Sequence, residues 1–292
     1  MSDNNARELN IHTICMSDKV FKLFSAFIQE ECGIKMPPAK KTMLEGRLRK
    51  RLRNLGMKSF NEYCDYLFSP EGMNAEAAPM IDAVTTNKTD FFREPDHFEY
   101  LMREALPELI RIKSPNGRGG LRFWSAACST GEEPYSIAMV LSEFCENQPG
   151  LLYTILATDI SFDVLTRASR GIYEHDRIEP VPMALRKKYL LKSKDRTKTL
   201  VRVVPELVER IEFRRLNLMQ EDYELRKPMD VIFCRNVLIY FDKPTQETIV
   251  NHLSRHLMAG GYLIVGHSET LHSFDVPLLY AVRGAANIYR RL

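Results

Sequence analysis

Apolar side chains recur every three or four positions through the first 75 residues, which is the spacing of amphipathic helices. The first series consists of Val20, Phe21, Phe24, Phe27 and Ile28, and the second of Leu44, Leu48, Leu52 and Leu55. Gly56 is a typical helix stop. A third short helix is predicted over 60–67, and Ser69-Pro70-Glu71-Gly72 then interrupts the pattern. We therefore predict an all-helical domain over residues 1–75.

From about residue 120 the pattern changes to short apolar runs that alternate with amphipathic segments. The predicted strands are 120–127, 153–160, 211–217, 231–234 and 262–266, and the predicted helices are 133–145, 161–170 and 243–258. This alternation is typical of an α/β fold, in which helices cover a parallel sheet. Over about 186–214 two strand-like runs joined by the charged turn 192–198 predict a small antiparallel β insertion. Residues 278–291 are predicted to form a final hairpin around Arg283-Gly284.

Composition places the chain among ordinary globular proteins. Of its 292 residues 45% are hydrophobic and 27% are charged, and the net charge of +3 does not by itself indicate nucleic-acid binding. The six cysteines form no C-x-x-C pair, so we expect reduced thiols in a cytoplasmic protein. The amino end, MSDNNARELN, lacks an apolar signal region, and no apolar run is long enough to span a bilayer. These features disfavour a secreted or membrane-inserted protein.

The most informative segment follows the first predicted strand of the α/β part. Small residues fill 125–131, and Glu132 and Glu133 open the next helix. In nucleotide-binding α/β folds this strand, turn and helix form the ligand site, where backbone such as that of Ala127 must approach the ligand closely. The single glycine, Gly131, does not match G-x-G-x-x-G, which favours a cofactor without phosphates, such as S-adenosylmethionine. Glu133 could bind its ammonium group, although an acid in the first helical turn also suits the helix dipole.

Further polar candidates lie at the ends of the next strands. Asp159 ends the second, where an acid accepts hydrogen bonds from ribose hydroxyls; the alternative is an aspartate that caps the helix beginning at Ser161. Asn217 ends the third, where an amide can contact adenine through both donor and acceptor. The polar residues free to act after the fourth strand are Arg235, Asn236 and Tyr240.

The segment between the two parts, 85–94, is dense in polar and aromatic residues and has no clear periodicity. A plain linker has no need of Phe91 and Phe92 beside an arginine. We therefore assign 76–92 to a linker that contributes to the cofactor site, and 93–292 to the α/β domain. The alternative is a capped helix start with a buried phenylalanine pair.

Several segments together resemble a known family, the CheR-type chemoreceptor glutamate methyltransferases. The segments that carry the resemblance are TTNKTDFFRE, WSAACSTGEEPYSIA, ATDIS, RASRGIY, NL and CRNVLIYFDK. They keep the family's order, and the resemblance runs from about residue 20 to the end. It implies a Rossmann-like S-adenosylmethionine-dependent methyltransferase domain, preceded by the helical domain, with S-adenosylhomocysteine as product. Members of that family methylate glutamate side chains on receptor helices and form glutamyl methyl esters in chemotactic adaptation.

The resemblance also implies roles for individual residues. Cofactor contacts are implied at Asn87, Thr89, Arg93, Glu133, Asp159, Asn217, Leu218, Asn236 and Val237. To these we add Ala127, in the small-residue turn, and Arg235. Arg93 and Tyr240 match the residues that lie beside the methyl group and help catalysis.

A basic helix is the predicted receptor-binding element. Its cations are Arg47, Lys50, Arg51 and Arg53. It matches the family's helix for the acidic methylation region of the receptor, and a basic amphipathic face suits a glutamate-bearing helix; a solvated surface face is the alternative. The expected partners are the cytoplasmic helices of methyl-accepting chemoreceptors, with recruitment to receptor arrays. The turn 192–198 has no glycine, unlike that of members that bind a receptor's carboxyl-terminal pentapeptide, so we do not expect that tether.

Two other functions are compatible with parts of the sequence. A nucleic-acid methyltransferase would share the cofactor domain, but Arg235-Asn236-Val237-Leu238 stands where amino-methylating enzymes usually carry an N/D-P-P-aromatic motif, and no aromatic residues interleave with the basic run. A non-catalytic module that senses S-adenosylmethionine or only binds receptors would not require Arg93, Asp159 and Tyr240 together. We expect that the protein neither binds nucleic acid nor inserts directly into a membrane.

Metal and thiol chemistry are not expected. His252 and His256 are four residues apart but form no H-E-x-x-H motif. Cys128 and Cys234 lie at strand ends, where a small apolar thiol packs well.

Overall fold

The computed structural model describes residues 14–113, 119–195, 197–281 and 287–292. The chain forms two compact units, and the division falls between Thr86 and Asn87, inside the segment 76–92 that the sequence assigns to a linker. Among the described residues no helix is both long enough and apolar enough to cross a membrane.

The first unit is all-helical. It contains α1 (Asp18–Cys32), a 3₁₀ turn (Pro38–Lys40), α2 (Lys41–Leu55), α3 (Phe60–Leu67), α4 (Pro70–Ala75) and α5 (Ala77–Val84). Local capping sets its helix ends: Ser17 Oγ accepts from Val20 N at 3.3 Å, and Gly56, with a φ of 68°, ends α2. The predicted apolar stripes of α1 and α2 form the core, where Phe24 and Leu48 are fully buried.

Helix α5 completes this core, although the sequence assigns it to the linker. Glu76, the residue before α5, accepts two hydrogen bonds from Arg51 at 2.7 and 2.6 Å and one from the Tyr63 hydroxyl at 2.9 Å. The helical domain is predicted to end at residue 75, and Ser69 and Pro70 are predicted to interrupt the helical pattern. In the structure they start α4, whose N-cap is Ser69.

The second unit is built on a large sheet. Its elements are α6 (Pro95–Tyr100), a π-helical segment (Leu101–Ala105), α7 (Leu106–Lys113), β1 (Gly119–Ala126), α8 (Glu132–Glu146), β2 (Leu151–Asp159), α9 (Phe162–Arg170), β3 (Ile172–Glu174), a 3₁₀ turn (His175–Ile178), α10 (Met183–Tyr189), β4 (Leu190–Lys192), β5 (Leu200–Val203), α11 (Pro205–Val208), β6 (Ile211–Arg215), β7 (Met229–Cys234), a 3₁₀ turn (Leu238–Tyr240), α12 (Lys243–Arg255), β8 (Leu257–Val265), β9 (Leu278–Tyr280) and β10 (Ile288–Arg291).

The large sheet has the strand order β6-β2-β1-β7-β8-β10-β9. Strands β6, β2, β1, β7 and β8 are parallel, whereas β10 runs antiparallel to β8 and to β9. The five predicted strands are β1, β2, β6, β7 and β8, so the predicted fold class is confirmed. The hairpin strands β9 and β10 also pair, while the predicted turn at Arg283-Gly284 lies outside the described residues.

Alternate residues of the central strands pack into two layers, because successive side chains of a strand point to opposite faces. Phe123 and Phe233 lie in one core with the buried face of α8. Trp124 and Cys234 lie in the other core with the buried face of α12. The sheet is therefore covered on both faces, as its apolar strand sequences require.

The predicted antiparallel insertion is present as a small sheet of order β3-β5-β4. It starts at Ile172, earlier than the predicted start at 186. Gly171, with a φ of 60°, ends α9 in the left-handed conformation, and β3 follows at once. A strand of three residues offers no period to detect. The predicted end at 214 also overlaps β6, which is the edge strand of the large sheet.

Candidate active site

The carboxyl ends of three parallel strands lie side by side. Ala126 of β1 is paired with Thr158 of β2 and with Cys234 of β7. The strand order reverses between β1 and β7, and such a switch point opens a crevice beyond the strand ends. The segments that leave these ends are 127–131, 159–161 and 235–237. They carry five of the predicted cofactor residues: Ala127, Asp159, Arg235, Asn236 and Val237.

The turn after β1 is built from left-handed residues. Ala127 has a φ of 63° and Ser129 a φ of 50°, conformations that cost energy for non-glycine residues and that cluster at functional sites. At Gly131, with a φ of 97°, a Cβ atom would lie 2.8 Å from the Tyr173 hydroxyl and 2.9 Å from Ala168 Cβ. Glycine is thus required at position 131.

The thiols at the ends of β1 and β7 are buried. Burial raises the pKa of Cys128 well above its ordinary range, and burial does the same to the pKa of Cys234 at the end of β7. Only the thiolate is strongly nucleophilic, so both cysteines serve as packing groups.

Asp159 is oriented by the backbone on both sides. Its Oδ2 accepts from Ser129 N at 2.9 Å and its Oδ1 from Ser161 N at 3.0 Å. The N-cap of α9 is Ser161, whose Oγ accepts from Val164 N at 3.3 Å. Ser161, and not Asp159, therefore caps α9. The Asp159 carboxylate instead joins the turn after β1 to the end of β2.

The first residue after β6 is joined to the end of β2 by a backbone hydrogen bond. Leu216 N donates to the Asp159 carbonyl at 2.9 Å. The Asn217 side chain closes a local turn by accepting from Met219 N at 3.0 Å. Leu218 is buried. Asn217 and Leu218 therefore follow a strand end that is tied to Asp159.

Glu133 lies in a buried charge cluster. Its Oε1 accepts from Ser125 Oγ at 2.7 Å, and its Oε2 lies 3.1 Å from Arg235 Nη1. Arg235 also binds Glu94 at 3.0 Å, and its own side chain is 2% exposed. Burial raises the pKa of Glu133, with Arg235 and Ser125 acting in the opposite direction. Glu133 is thus committed to Arg235, which sits between two carboxylates.

Asn236 is held in a left-handed conformation, with a φ of 57°. Its backbone N donates to Glu269 Oε2 at 2.7 Å, and its Nδ2 donates to Glu94 Oε1 at 3.1 Å. The buried Glu269 carboxylate also accepts from Leu238 N at 2.8 Å and Gly266 N at 2.7 Å. This acid shapes the turn after β7, including the half-buried Val237. The sequence analysis did not identify it.

Glu94 also contacts a buried histidine. Burial would raise the pKa of Glu94, but Arg235 and Asn236 bring it below its ordinary value. His97 lies 3.5 Å from this carboxylate and is fully buried. Burial and the nearby Arg235 guanidinium lower the pKa of His97 to about 4. The imidazole is therefore neutral near pH 7.

Possible metal donors lie at the same place. Glu94, His97 and His267 carry ligand atoms within 4.8 Å of one another. However, the Glu94 carboxylate already forms an ion pair with the Arg235 guanidinium, and His267 Nε2 lies 2.9 Å from Asp96 Oδ2. A bound cation would have to displace or approach the guanidinium, so we assign no metal role to this cluster.

We call residues 87–94 the cofactor loop, after the contacts predicted for it. Ser129 Oγ donates to the Asn87 carbonyl at 3.0 Å, which ties the start of the loop to the turn after β1. Phe92 N donates to Ser136 Oγ at 2.9 Å, which ties its end to α8. The loop thus reaches the same crevice as the three strand ends.

Two arginines complete the anchoring of the cofactor loop. Arg177 contacts Asp90 and Thr89, and Arg235 donates to the Arg93 carbonyl. The alternative for this segment, a capped helix start with a buried phenylalanine pair, holds only in part. Phe91 is fully buried, but the residue before α6 makes no side-chain cap.

Neither predicted catalytic side chain forms an ion pair with an acid in the part of the chain that the structure describes. Arg93 Nη1 donates to the Lys88 carbonyl at 3.2 Å, and among the described residues Arg93 has no carboxylate partner. Tyr240 closes the 3₁₀ turn after β7. Within that same described part its hydroxyl has no hydrogen-bond partner. Both side chains are half-buried, so a cation and a phenol remain available to a ligand.

The cations of the basic helix α2 lie in two different environments. Arg47 donates to the Thr85 carbonyl at 3.1 Å and to Thr86 Oγ1 at 2.7 Å, and Arg51 binds the buried Glu76. These two side chains are engaged within the helical unit. Lys50 and Arg53 are exposed.

Sequence reasoning therefore missed the groups that connect the segments of the site. They are Glu94, Ser129, Ser136, Arg177 and Glu269. Glu94, Ser129 and Ser136 lie in segments that the sequence singles out, whereas Arg177 and Glu269 do not. These last two contact residues far along the chain, 88 positions for Arg177 and Thr89 and 33 for Glu269 and Asn236, and no local pattern reports such contacts.

Comparison with known proteins agrees with this architecture. Residues 87–280 match the family model described as CheR methyltransferase, SAM binding domain, and residues 19–85 match that of the CheR methyltransferase all-alpha domain. The boundary between the two matches falls where the structure divides the chain.

Curated relatives match over nearly their whole length. A chemotaxis protein methyltransferase of Borreliella burgdorferi is 38% identical over 270 residues, which cover 92% of this chain and 94% of that protein. The chemotaxis protein methyltransferase of Escherichia coli K12 is 39% identical, with 90% of this chain and 88% of that protein covered. Together with a crevice at the carboxyl ends of β1, β2 and β7, these matches show that the chain belongs to the CheR methyltransferase family, whose second domain binds S-adenosylmethionine.

Proposed function

We propose that this protein transfers a methyl group from S-adenosylmethionine to glutamate side chains on the cytoplasmic helices of chemoreceptors, forming glutamyl methyl esters in chemotactic adaptation. The observation that carries the proposal is the pair of uncommitted groups, the Arg93 guanidinium and the Tyr240 hydroxyl. A cation and a phenol can together orient a carboxylate. Relatives named chemotaxis protein methyltransferases support the signalling context.

The residues of the crevice suit the cofactor. The small, left-handed turn at Ala127 and Ser129 lets the ligand reach the backbone. Asp159, oriented by two backbone N–H groups, would accept from the ribose hydroxyls, and Asn217 and Leu218 would contact the adenine. Asn87, Thr89, Glu133, Arg235, Asn236 and Val237 would surround the amino-acid part.

The chemistry requires little of the protein beyond placement. S-adenosylmethionine supplies an electrophilic methyl group on a positively charged sulfur. A glutamate with a pKa of about 4.3 is already ionised near neutral pH, so its carboxylate can attack in line without a general base. Arg93 would hold the cofactor loop and bias the position of the incoming carboxylate, and Tyr240 would orient the attacking oxygen. The rate of methyl transfer would then depend on the orientation of the carboxylate and on the exclusion of water.

Receptor recognition would rest on the exposed cations of α2. Lys50 and Arg53 face solvent and would attract an acidic, glutamate-bearing helix, which favours encounter and recruitment to receptor arrays. Arg47 and Arg51 would support this face indirectly, because their guanidinium groups bind within the helical unit. The charged turn 192–198 carries no glycine, so the proposal does not include a peptide tether.

The test is methyl transfer with an ester-specific readout. The purified protein is incubated with cofactor labelled on the methyl group and with receptor-enriched membranes, and alkali is then added. We expect labelled methanol, because an ester is cleaved by base and an N-methyl group is not. Cofactor binding without transfer would support a sensing module instead, and base-stable label on protein or nucleic acid would indicate another methyltransferase.

A further inference from the structure

One guanidinium outside the crevice spans three groups of the site. Arg177 lies in the 3₁₀ turn that follows β3, next to the small sheet. Its Nη2 donates to the Thr89 carbonyl at 2.5 Å and to Glu132 Oε1 at 2.9 Å, and its Nη1 lies 3.1 Å from Asp90 Oδ1. A planar fork of this kind can bridge several acceptors at once, which an ammonium group cannot do with the same geometry.

The far end of this bridge is firmly anchored. Glu132, in the first turn of α8, is almost fully buried. Its second oxygen accepts from Thr130 Oγ1 at 2.6 Å, and the Thr130 carbonyl accepts from the Tyr173 hydroxyl at 2.7 Å. The Tyr173 ring in turn packs edge-on against Phe91, with ring centroids 4.9 Å apart. Glu132 and Tyr173 are therefore fixed points against which Arg177 can hold the loop.

We propose that Arg177 is a positioning residue that holds residues 87–90 of the cofactor loop in the geometry needed for cofactor binding and methyl transfer. The inference rests on the proposed cofactor contacts of Asn87 and Thr89. A loop that is ordered before the ligand arrives does not lose that conformational entropy on binding. In the described part of the chain, the Arg177 side chain contacts Thr89, Asp90 and Glu132. It would act through the loop.

Three variants separate this role from a purely structural one. Arg177→Met removes the bridge. Arg177→Lys keeps a cation beside the buried Glu132 and so protects folding. Asp90→Asn weakens the arm that reaches the loop and leaves the Arg177 contact with Glu132 in place. The matched control is Arg186→Met, since Arg186 lies in the same connection but donates to the carbonyls of Val181 and Glu179.

The measurement is calorimetric affinity for S-adenosylhomocysteine, together with kcat, KM for the cofactor and the melting temperature of each variant. We expect Arg177→Met to weaken cofactor affinity about tenfold, the effect of one lost anchoring interaction, with smaller losses for Arg177→Lys and Asp90→Asn. Guanidinium ions added to Arg177→Met should restore part of the affinity, because the site of this side chain is 41% exposed. Arg186→Met should bind like the parent protein.

Two results would overturn the inference. One is an Arg177→Met protein that melts earlier but binds S-adenosylhomocysteine with full affinity, which would make Arg177 purely structural. The other is an equal loss in Arg186→Met. An Asn87→Ala variant tests the underlying proposal that the loop contacts the cofactor. If this variant binds S-adenosylhomocysteine with full affinity, the loop does not contact the cofactor, and the role proposed for Arg177 is also wrong.

Discussion

Arg235 joins two segments of the site, because its guanidinium contacts Glu133 at the start of α8 and Glu94 in the cofactor loop. Breaking a buried pair of this kind by removing one partner typically costs about 3–5 kcal/mol, since a charge is left buried and unpaired. The sequence marked Arg235 as a residue free to act. The structure shows instead a side chain committed to two acids, which leaves Arg93 and Tyr240 as the available groups.

The first prediction concerns these two available groups. Arg93→Ala and Tyr240→Phe should each lower the rate of methyl transfer about 10²-fold or more, as the loss of orienting contacts does. The melting temperature should change little, because neither side chain binds an acid in the described part of the chain. Receptor methylation and thermal unfolding, measured on the same preparations, check this. Full transfer rates in both variants would show that the assigned roles are wrong.

The second prediction follows from the depressed pKa of His97, about 4 in the folded protein against about 6.5 for a free histidine. Between these values the unfolded chain binds a proton that the folded chain does not. Stability is therefore fully present above pH 6.5 and falls as the pH drops toward 4, by up to about 3 kcal/mol from this group.

Urea unfolding from pH 7.5 to pH 4.5 tests the histidine prediction. Relative to the parent protein, His97→Gln should lose less stability on acidification, so the two curves converge at low pH. The partly exposed His252 provides the matched control, through His252→Gln, for the removal of an imidazole as such. Parallel curves for the parent protein and His97→Gln would contradict the prediction.

At the scale of elements, the main strands and helices could be predicted because each carries a complete local pattern. The apolar run before Ala127 stops where β1 stops, and Gly56 ends α2 as its position suggests. The start of the small sheet could not be predicted, since β3 has three residues. The role of Glu269 could not be predicted either. Its hydrogen-bond donors are backbone N–H groups, and their positions depend on how β7 and β8 pair.

Two glycines in different elements should respond oppositely to the same substitution. Gly46 lies in α2, and a Cβ there would meet nothing within 4 Å. Gly46→Ala should therefore raise stability by about 1 kcal/mol through helix propensity. Gly131→Ala should lower it by about 1–3 kcal/mol, since its φ is 97° and its Cβ would collide with Tyr173 and Ala168.

Chemical denaturation of the two alanine variants checks the glycine prediction. Gly131→Ala should in addition weaken binding of S-adenosylhomocysteine, because it distorts the turn after β1, whereas Gly46→Ala should leave that affinity unchanged. Equal effects of the two substitutions would contradict this account of the turn.

At the scale of the whole molecule, the chain consists of two units with separate cores, and the two proposed tasks are divided between them. The proposed cofactor residues, from Asn87 onward, all belong to the second unit, while the cations of α2 belong to the first. The sequence predicts a helical domain and an α/β domain, but it assigns Asn87 and Thr89 to a linker between them. It could not predict that α5 completes the first core, because that depends on the contact of Arg51 with Glu76 across 25 positions.

The division predicts a selective defect in receptor recognition. Reversing both exposed charges, Lys50→Glu with Arg53→Glu, should raise KM for receptor about tenfold, at about 0.5–1 kcal/mol for each exposed charge, and more at low salt than at high salt. Affinity for S-adenosylhomocysteine should not change. Lys35→Glu, an exposed charge outside α2, is the control. Equal receptor kinetics in the double variant and the parent would exclude α2 as the docking face.

The central claim is that a carboxylate receives the methyl group. Site-resolved mass spectrometry of receptor incubated with the protein and S-adenosylmethionine tests it most directly. The account predicts methyl groups on glutamate side chains of the cytoplasmic helices, removed by alkali and formed far more slowly when Tyr240→Phe or Arg93→Ala replaces the parent protein. Methyl groups found on lysine, arginine or nucleic acid, or an unmodified receptor in the presence of bound cofactor, would contradict it.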